Sequence, residues 1–202
     1  MSVAGVINGA LRPVPTWALY GLGAVPAAVL VAQLFTGGLG VDPVRRLEHA
    51  TGLYALQFLI AGLCITPLRR WTGVNLIRWR RALGLIGFAY VVLHLSIWVA
   101  LDLQFRWGQI GADIVKRPYI TVGMIGFALL VPLAWTSTDG AIRRMGAAAW
   151  RRLHLVVYPA VLAGTIHYVW LVKSWPIEPI LYLAVVASLV GIRVLWWARR
   201  PA

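Results

Sequence analysis

Charge is what this chain has least of. Only 12% of its 202 residues are Asp, Glu, Lys or Arg, and just six of those are acids. A soluble domain carries about 25% charged residues to keep its surface in water. Here 60% of residues are hydrophobic and the mean hydropathy is +0.78, which excludes an ordinary cytosolic globule and a disordered chain. Cysteine is nearly absent. Cys64 stands alone, so there is no disulfide scaffold, no CxxC pair and no CxxCH site for covalent haem attachment. A nucleotide signature is missing too. Gly21-Leu22-Gly23 has neither the third glycine nor the preceding strand of a dinucleotide fingerprint.

What the chain does have is six apolar stretches of bilayer length, for which ~20 residues suffice. Reading between charges places them at about 14–36, 50–68, 82–101, 118–138, 153–172 and 179–198. The expected fold is an all-α bundle of six transmembrane helices, with residues 1–202 as one domain. Pro26, Pro132 and Pro159 fall inside spans, where bilayer helices tolerate kinks. Arg193 lies near enough to the end of the sixth span to snorkel. The start has no basic segment and small-residue cleavage site before the first span, so that span is expected to stay. The longest connection, Asp102–Arg117, is too short to be a domain.

The net charge of +13 comes from 19 cations, 17 of them Arg, set mostly in short runs between the spans. That pattern indicates topology and contact with membrane lipids, with no role for nucleic acid. One side collects Arg12, Arg69, Arg70, Arg78, Arg80, Arg81, Arg143, Arg144, Arg151, Arg152, Arg199 and Arg200, which is twelve. The other collects Arg45, Arg46, Arg106, Lys116, Arg117 and Lys173, which is six. The positive-inside rule makes the first side cytoplasmic, with both termini on it. Trp17, Trp71, Trp79, Trp150, Trp175, Trp196 and Trp197 near span ends fit interfacial belts.

Ionisable groups within a bilayer are costly and usually functional. His94 lies 13 residues past Arg81, roughly 20 Å up from the cytoplasmic surface at 1.5 Å per residue. His167 lies 15 residues past Arg152, roughly 22 Å up by the same rise. Two histidines on two helices therefore share a depth. Neutral imidazoles are ready axial ligands for haem iron, and a facing pair would close both axial positions, giving a centre that passes electrons. The competing readings are histidines that only hydrogen-bond across the bundle, a proton path, or a quinone contact. His154 lies near the cytoplasmic surface, and on a straight helix its ring is some 140° from that of His167. It is read as either a ligand or a headgroup-level residue. His49 is read as a solvated interfacial residue.

The arginine runs serve topology first, though guanidinium forks also suit haem propionates, a flavin phosphate or an acidic partner. Cys64, Gly84, Gly87, Gly123 and Gly126 are expected to be packing residues that let helices approach. Trp79-Arg80-Arg81 and Trp150-Arg151-Arg152 open two spans alike, each ahead of a deep histidine.

The run Arg151-Arg152-Leu153-His154-Leu155-Val156-Val157-Tyr158, closing on His167-Tyr168, resembles the ferric-reductase-like transmembrane family. Asp42-Pro43 through His49-Ala50-Thr51-Gly52, then Ile65-Thr66-Pro67-Leu68-Arg69 and Leu93-His94-Leu95, extend the likeness in the same order over the second to fifth spans. The nearer likeness is to its short bacterial branch, the haem-binding membrane subunits of periplasmic systems that repair oxidised methionine in proteins. The resemblance implies a b-type haem subunit of the inner membrane, with FMN also associated. Electrons drawn from the quinone pool would pass to a periplasmic molybdopterin-containing reductase that carries out the sulfoxide chemistry. Carried over by position, His94 and His167 match the haem iron ligands and His154 the third membrane histidine of the cofactor site. Larger relatives have paired histidines on both helices and a soluble flavin domain. This chain lacks one of those histidines and that domain, which leaves a second haem open and requires a quinol or a separate flavin reductase as donor.

The expected function is therefore outward electron conduction, with the terminal chemistry left to a partner. A stand-alone reductase of an external metal or small oxidant is the redox alternative, and a histidine-lined proton path or transporter the non-redox one. The chain alone is not expected to oxidise a nicotinamide cofactor. Orientation is directly testable. A reporter active only in the periplasm should work when fused within Asp102–Arg117 and be silent at Ala202, and the reverse pattern would overturn the direction of electron flow.

Overall fold

In the computed structural model, which describes residues 2–172 and 176–199, every regular element is helical. Lys173 and Arg200 of the cation count and Trp175 of the interfacial belts lie outside the described residues. Six helical segments are long and apolar enough to cross a membrane: Thr16–Thr36, Pro43–Thr72, Ile77–Asp102, Pro118–Trp135, Ala147–Leu171 and Ile177–Ala198. The chain divides into two compact units, Met1–Trp107 and Gly108–Ala202.

The first unit opens with a short helix, α1 (Val3–Leu11), capped by the Ser2 hydroxyl, which accepts from Gly5 N–H at 3.2 Å. Helix α2 (Thr16–Thr36) ends at Gly37 and α3 (Pro43–Thr72) at Gly73, two glycines in the left-handed conformation that closes a helix C-terminus. Asp42 starts α3 by accepting from Arg45 N–H, with Pro43 in the first turn. A 3₁₀ turn, Ile77–Trp79, leads into α4 (Arg80–Ile97), and a π-helical turn, Trp98–Asp102, follows it. Gln104 and Phe105 then take left-handed φ values of 49° and 58°. Such a conformation costs a residue with a Cβ roughly 1–2 kcal/mol.

Two features fasten this unit. Asn8 of α1 donates to Gly73 O and accepts from Asn75 N–H, and the Arg78 guanidinium donates to the carbonyls of Leu11 and Arg12. The Leu11 carbonyl also accepts from Val14 N–H at 3.1 Å, and Arg78 adds a cation at the C-terminal end of α1. Deeper in, α3 and α4 pack side by side, with Gly87 allowing close approach to Leu59. Tyr90 lies buried there, stacked on Phe58 and edge-on to Tyr54. Its hydroxyl donates to Gly23 O at 2.8 Å and accepts from Ala27 N–H at 2.9 Å. Those two backbone groups are the partners that an unbroken α2 would pair with each other. Tyr90 thus inserts into the α2 ladder one residue from Pro26, which has no N–H to give.

In the second unit, α5 (Trp107–Lys116) fills most of the connection, and an ion pair of 3.2 Å joins Asp113 to Arg117. Helix α6 (Pro118–Trp135) is followed by two short helices, α7 (Asp139–Met145) and α8 (Ala147–Leu153). A 3₁₀ turn at His154–Val156 precedes α9 (Val157–Leu171), and α10 (Ile177–Ala198) completes the unit. Helix α9 packs against both α6 and α10. Val161, Thr165 and Val186 are fully buried, and the Thr165 hydroxyl returns to Val161 O at 2.8 Å. Arg193 holds its guanidinium 5.7 Å over the rings of Tyr158 and Trp196.

The observed spans differ from the charge-bounded ones at their ends. Pro43–Thr72 overshoots residues 50–68 at both ends and, at 30 residues, is about 45 Å long. Charged residues stop a hydrocarbon-embedded stretch, but capping groups stop a helix, and the caps of α3 are Asp42 and Gly73. The fifth span is a broken helix whose irregular turn sits just before Pro159. That proline cannot donate to the carbonyl four residues back and crowds it.

Tyr90→Phe should destabilise the detergent-solubilised protein by about 1–3 kcal/mol, because Gly23 O and Ala27 N–H lose their buried partner. A thermal unfolding midpoint equal to that of the parent protein would mean that α2 closes its own ladder at no cost.

Candidate functional site

Each unit carries one partly buried histidine about a turn before the end of a long helix. In the first unit His94 of α4 sits against the opening turns of α3. Its Nδ1 lies 2.9 Å from the carbonyl oxygen of Glu48. In the second, His167 of α9 sits against the start of α6, with Nδ1 2.7 Å from Tyr119 O. A carbonyl oxygen can only accept, so in both cases Nδ1 carries the proton and donates it. The lone pair then resides on Nε2. Both imidazoles are partly buried, and both lie against a glycine. A Cβ at Gly52 would stand 3.1 Å from His94 Nδ1, and one at Gly123 would stand 2.9 Å from His167 Nδ1. The Tyr119 ring is 6.1 Å from His167, centroid to centroid.

His154 is held differently. Its Nε2 is 3.1 Å from the Thr136 hydroxyl at the end of α6. That hydroxyl has one hydrogen, which goes to Pro132 O at 2.6 Å, so it accepts from His154 and Nε2 carries the proton. Trp150 stacks on the imidazole at 3.9 Å, and its indole N–H donates to Thr136 O at 2.9 Å. His154 therefore has the opposite tautomer and belongs to a Trp150–His154–Thr136 corner. The 140° offset from His167 does not apply here, because the 3₁₀ turn separates the two residues. His49 is exposed in the second turn of α3.

The other residues singled out by sequence divide by contact. Gly87 meets Leu59 and Gly126 meets Ala160 O, both at close helix approaches, whereas a Cβ at Gly84 would meet nothing within 4 Å. Gly123 is a cradle for an imidazole, and so is Gly52, which the sequence offered only as part of a motif. Arg69 and Arg70 occupy the last turn of α3, Arg143 and Arg144 that of α7, and Arg151 and Arg152 that of α8. Cations there complement the helix dipole. Arg78 lies 4.6 Å over the Trp79 ring besides holding α1.

A bare metal ion needs several protein donors, and among the described residues no group of three or more His, Cys, Asp or Glu could hold one. Haem brings four nitrogens of its own and asks the protein only for axial ligands. A neutral imidazole that presents Nε2, with Nδ1–H fixed on a backbone carbonyl, is suited to that task. The donor chemistry at His94 and His167 fits haem.

Comparison with known proteins gives the family. The profile described as ferric reductase like transmembrane component matches residues 49–165. The chain belongs to the ferric-reductase-like transmembrane family. As a family member with six membrane-length apolar helices, it is a multi-pass membrane protein. Proteins from Brucella ovis, Brucella canis and Brucella abortus are each 48% identical over 185 residues, covering 92% of this chain and 82% of their own. Each bears the name protein-methionine-sulfoxide reductase heme-binding subunit MsrQ. No solved structure matches the chain. The stretch matched to the ferric-reductase-like family takes in His49, His94 and His154 and ends just short of His167. Within that family reading, the backbone partners Glu48 O and Tyr119 O are new. A carbonyl has no side-chain signature, but the glycine four residues after each one is visible in the sequence.

Proposed function

We propose that this protein is a haem-binding electron-transfer subunit of the bacterial inner membrane, working in the repair of oxidised methionine. The observation that supports it best is the repeated histidine geometry. One imidazole in each unit has Nδ1–H on a carbonyl and its lone pair on Nε2, in a chain whose relatives are named heme-binding subunits. His94 and His167 would hold b-type haem, and their common depth in the sequence supports that assignment. Bound haem would supply one-electron transfer. The chain's own residues do the rest. Glu48 O and Tyr119 O orient the two rings, and the apolar helices keep water away from them. His154 is the third residue of the cofactor site and acts from the Trp150–Thr136 corner.

The arginine-rich side is cytoplasmic by charge count, with both termini on it, and the histidine pair lies toward the periplasm. Electrons enter from a quinol or a separate flavin reductase and leave to a periplasmic molybdopterin-containing reductase that performs the sulfoxide chemistry. FMN enters this reading through the resemblance alone, and no residue is assigned to it.

The test is haem content by pyridine haemochrome on purified, correctly inserted protein. His94→Ala and His167→Ala should each lose most of the b-haem, whereas His154→Ala should keep the haem that those two hold and change only its spectrum or a second component. Full haem content in both of the first two variants would falsify the assignment. A colourless parent protein would favour the proton path.

A further inference from the structure

Each of the two histidines reaches its carbonyl in the same way. The oxygen of Glu48 and that of Tyr119 lie inside α3 and α6, where the helix ladder already pairs each oxygen with the N–H four residues on. Those N–H groups belong to Gly52 and Gly123. A carbonyl oxygen has a second lone pair, which at Glu48 the Thr51 hydroxyl of the same helix also approaches, at 3.0 Å; a donor from a neighbouring helix must lie across the helix surface beside the residue that makes the ladder bond. A Cβ on that residue would crowd the imidazole. Built at Gly52 it would stand 3.1 and 3.2 Å from His94 Nδ1 and Cε1, so the ring must give by a few tenths of an ångström, and at Gly123 it would stand 2.9 and 3.2 Å from His167 Nδ1 and Cε1, close enough that something must shift.

We infer that Gly52 and Gly123 are positioning residues for the two axial histidines, each leaving out the one atom that would stop an imidazole from sharing the carbonyl four residues earlier. The inference rests on the haem reading above and adds to it a device found once in each unit, a carbonyl at position i and a glycine at i+4. Its chemical consequence is electronic as well as steric. Nδ1–H donation to a carbonyl makes Nε2 a stronger donor, which favours ferric over ferrous iron. A side chain that pushes the imidazole off the carbonyl removes that preference. The approach is tighter at Gly123, so the effect there is the larger.

The experiment uses the full-length holoprotein and four single variants: Gly52→Ala, Gly123→Ala, and the controls Gly84→Ala and Gly164→Ala. A Cβ at either control position would meet nothing within 4 Å. Alanine is the better helix former, so loss of helical propensity cannot explain a change. The readouts are haem per protein, the ferric EPR g values and the midpoint potential, alongside thermal unfolding. Gly123→Ala should shift the g values and lose about tenfold of the ferric preference, a rise of about 59 mV for a one-electron couple. Gly52→Ala should move the same way by less, and the controls should match the parent. Loss of haem from a folded Gly123→Ala protein supports the inference equally. If Gly123→Ala does not fold, Gly52→Ala decides.

Parent-like g values and potential in the folded glycine variants, with haem still lost from His94→Ala and His167→Ala, would overturn the positioning role and leave the haem reading standing. Haem retained in both histidine variants would instead overturn the reading beneath it.

Discussion

A bilayer offers no water to a polar group, so each backbone or side-chain donor must be answered by another part of the chain. Much of this structure follows from how that is done. Thr51 turns its hydroxyl back to Leu47 O, and Thr165 does the same to Val161 O. Tyr90 goes further and takes the place of a ladder bond in α2, tying that helix to α4. The imidazoles obey the same rule. Once Nδ1–H of His94 and His167 is spent on a carbonyl, each ring has a defined tautomer and plane. The interaction that makes a buried histidine tolerable in hydrocarbon is the same one that, in the proposed function, leaves Nε2 to hold haem.

That double use explains why three histidines in similar helices play different parts. His94 and His167 meet helix interiors, where each donates Nδ1–H to a backbone carbonyl and keeps its lone pair on Nε2. His154 meets the end of α6, where Thr136 has a hydroxyl to accept from it and Trp150 a ring to stack on it. Its Nε2 is engaged in building a corner. The difference arises from whether the neighbouring helix is continuing or ending at the level of the ring.

Much of this was legible in the sequence. The six spans could be read because charge is so scarce that each cluster marks an interruption. Their ends could not, because Asp42 and Gly73 cap α3 well outside the charge-free stretch, and because α1 and α5 are too short to register as spans. The place of His94 and His167 about a turn before the ends of α4 and α9 agrees with their position late in the third and fifth spans. Their partners were hidden because a backbone carbonyl belongs to every residue alike. Gly52 and Gly123 were the visible trace of those partners, and Gly123 reads as an ordinary packing glycine until the imidazole beside it is seen. The turn at His154–Val156 defeated angular arithmetic, which assumes an unbroken helix.

The central claim is that the Nε2 atoms of these two histidines bind haem iron. Pulsed EPR on the ferric protein, grown with ¹⁵N-labelled histidine, tests it without a mutation. The account predicts strong coupling of the iron to two histidine nitrogens in addition to the four of the porphyrin. A spectrum in which no histidine nitrogen couples to the iron would contradict it.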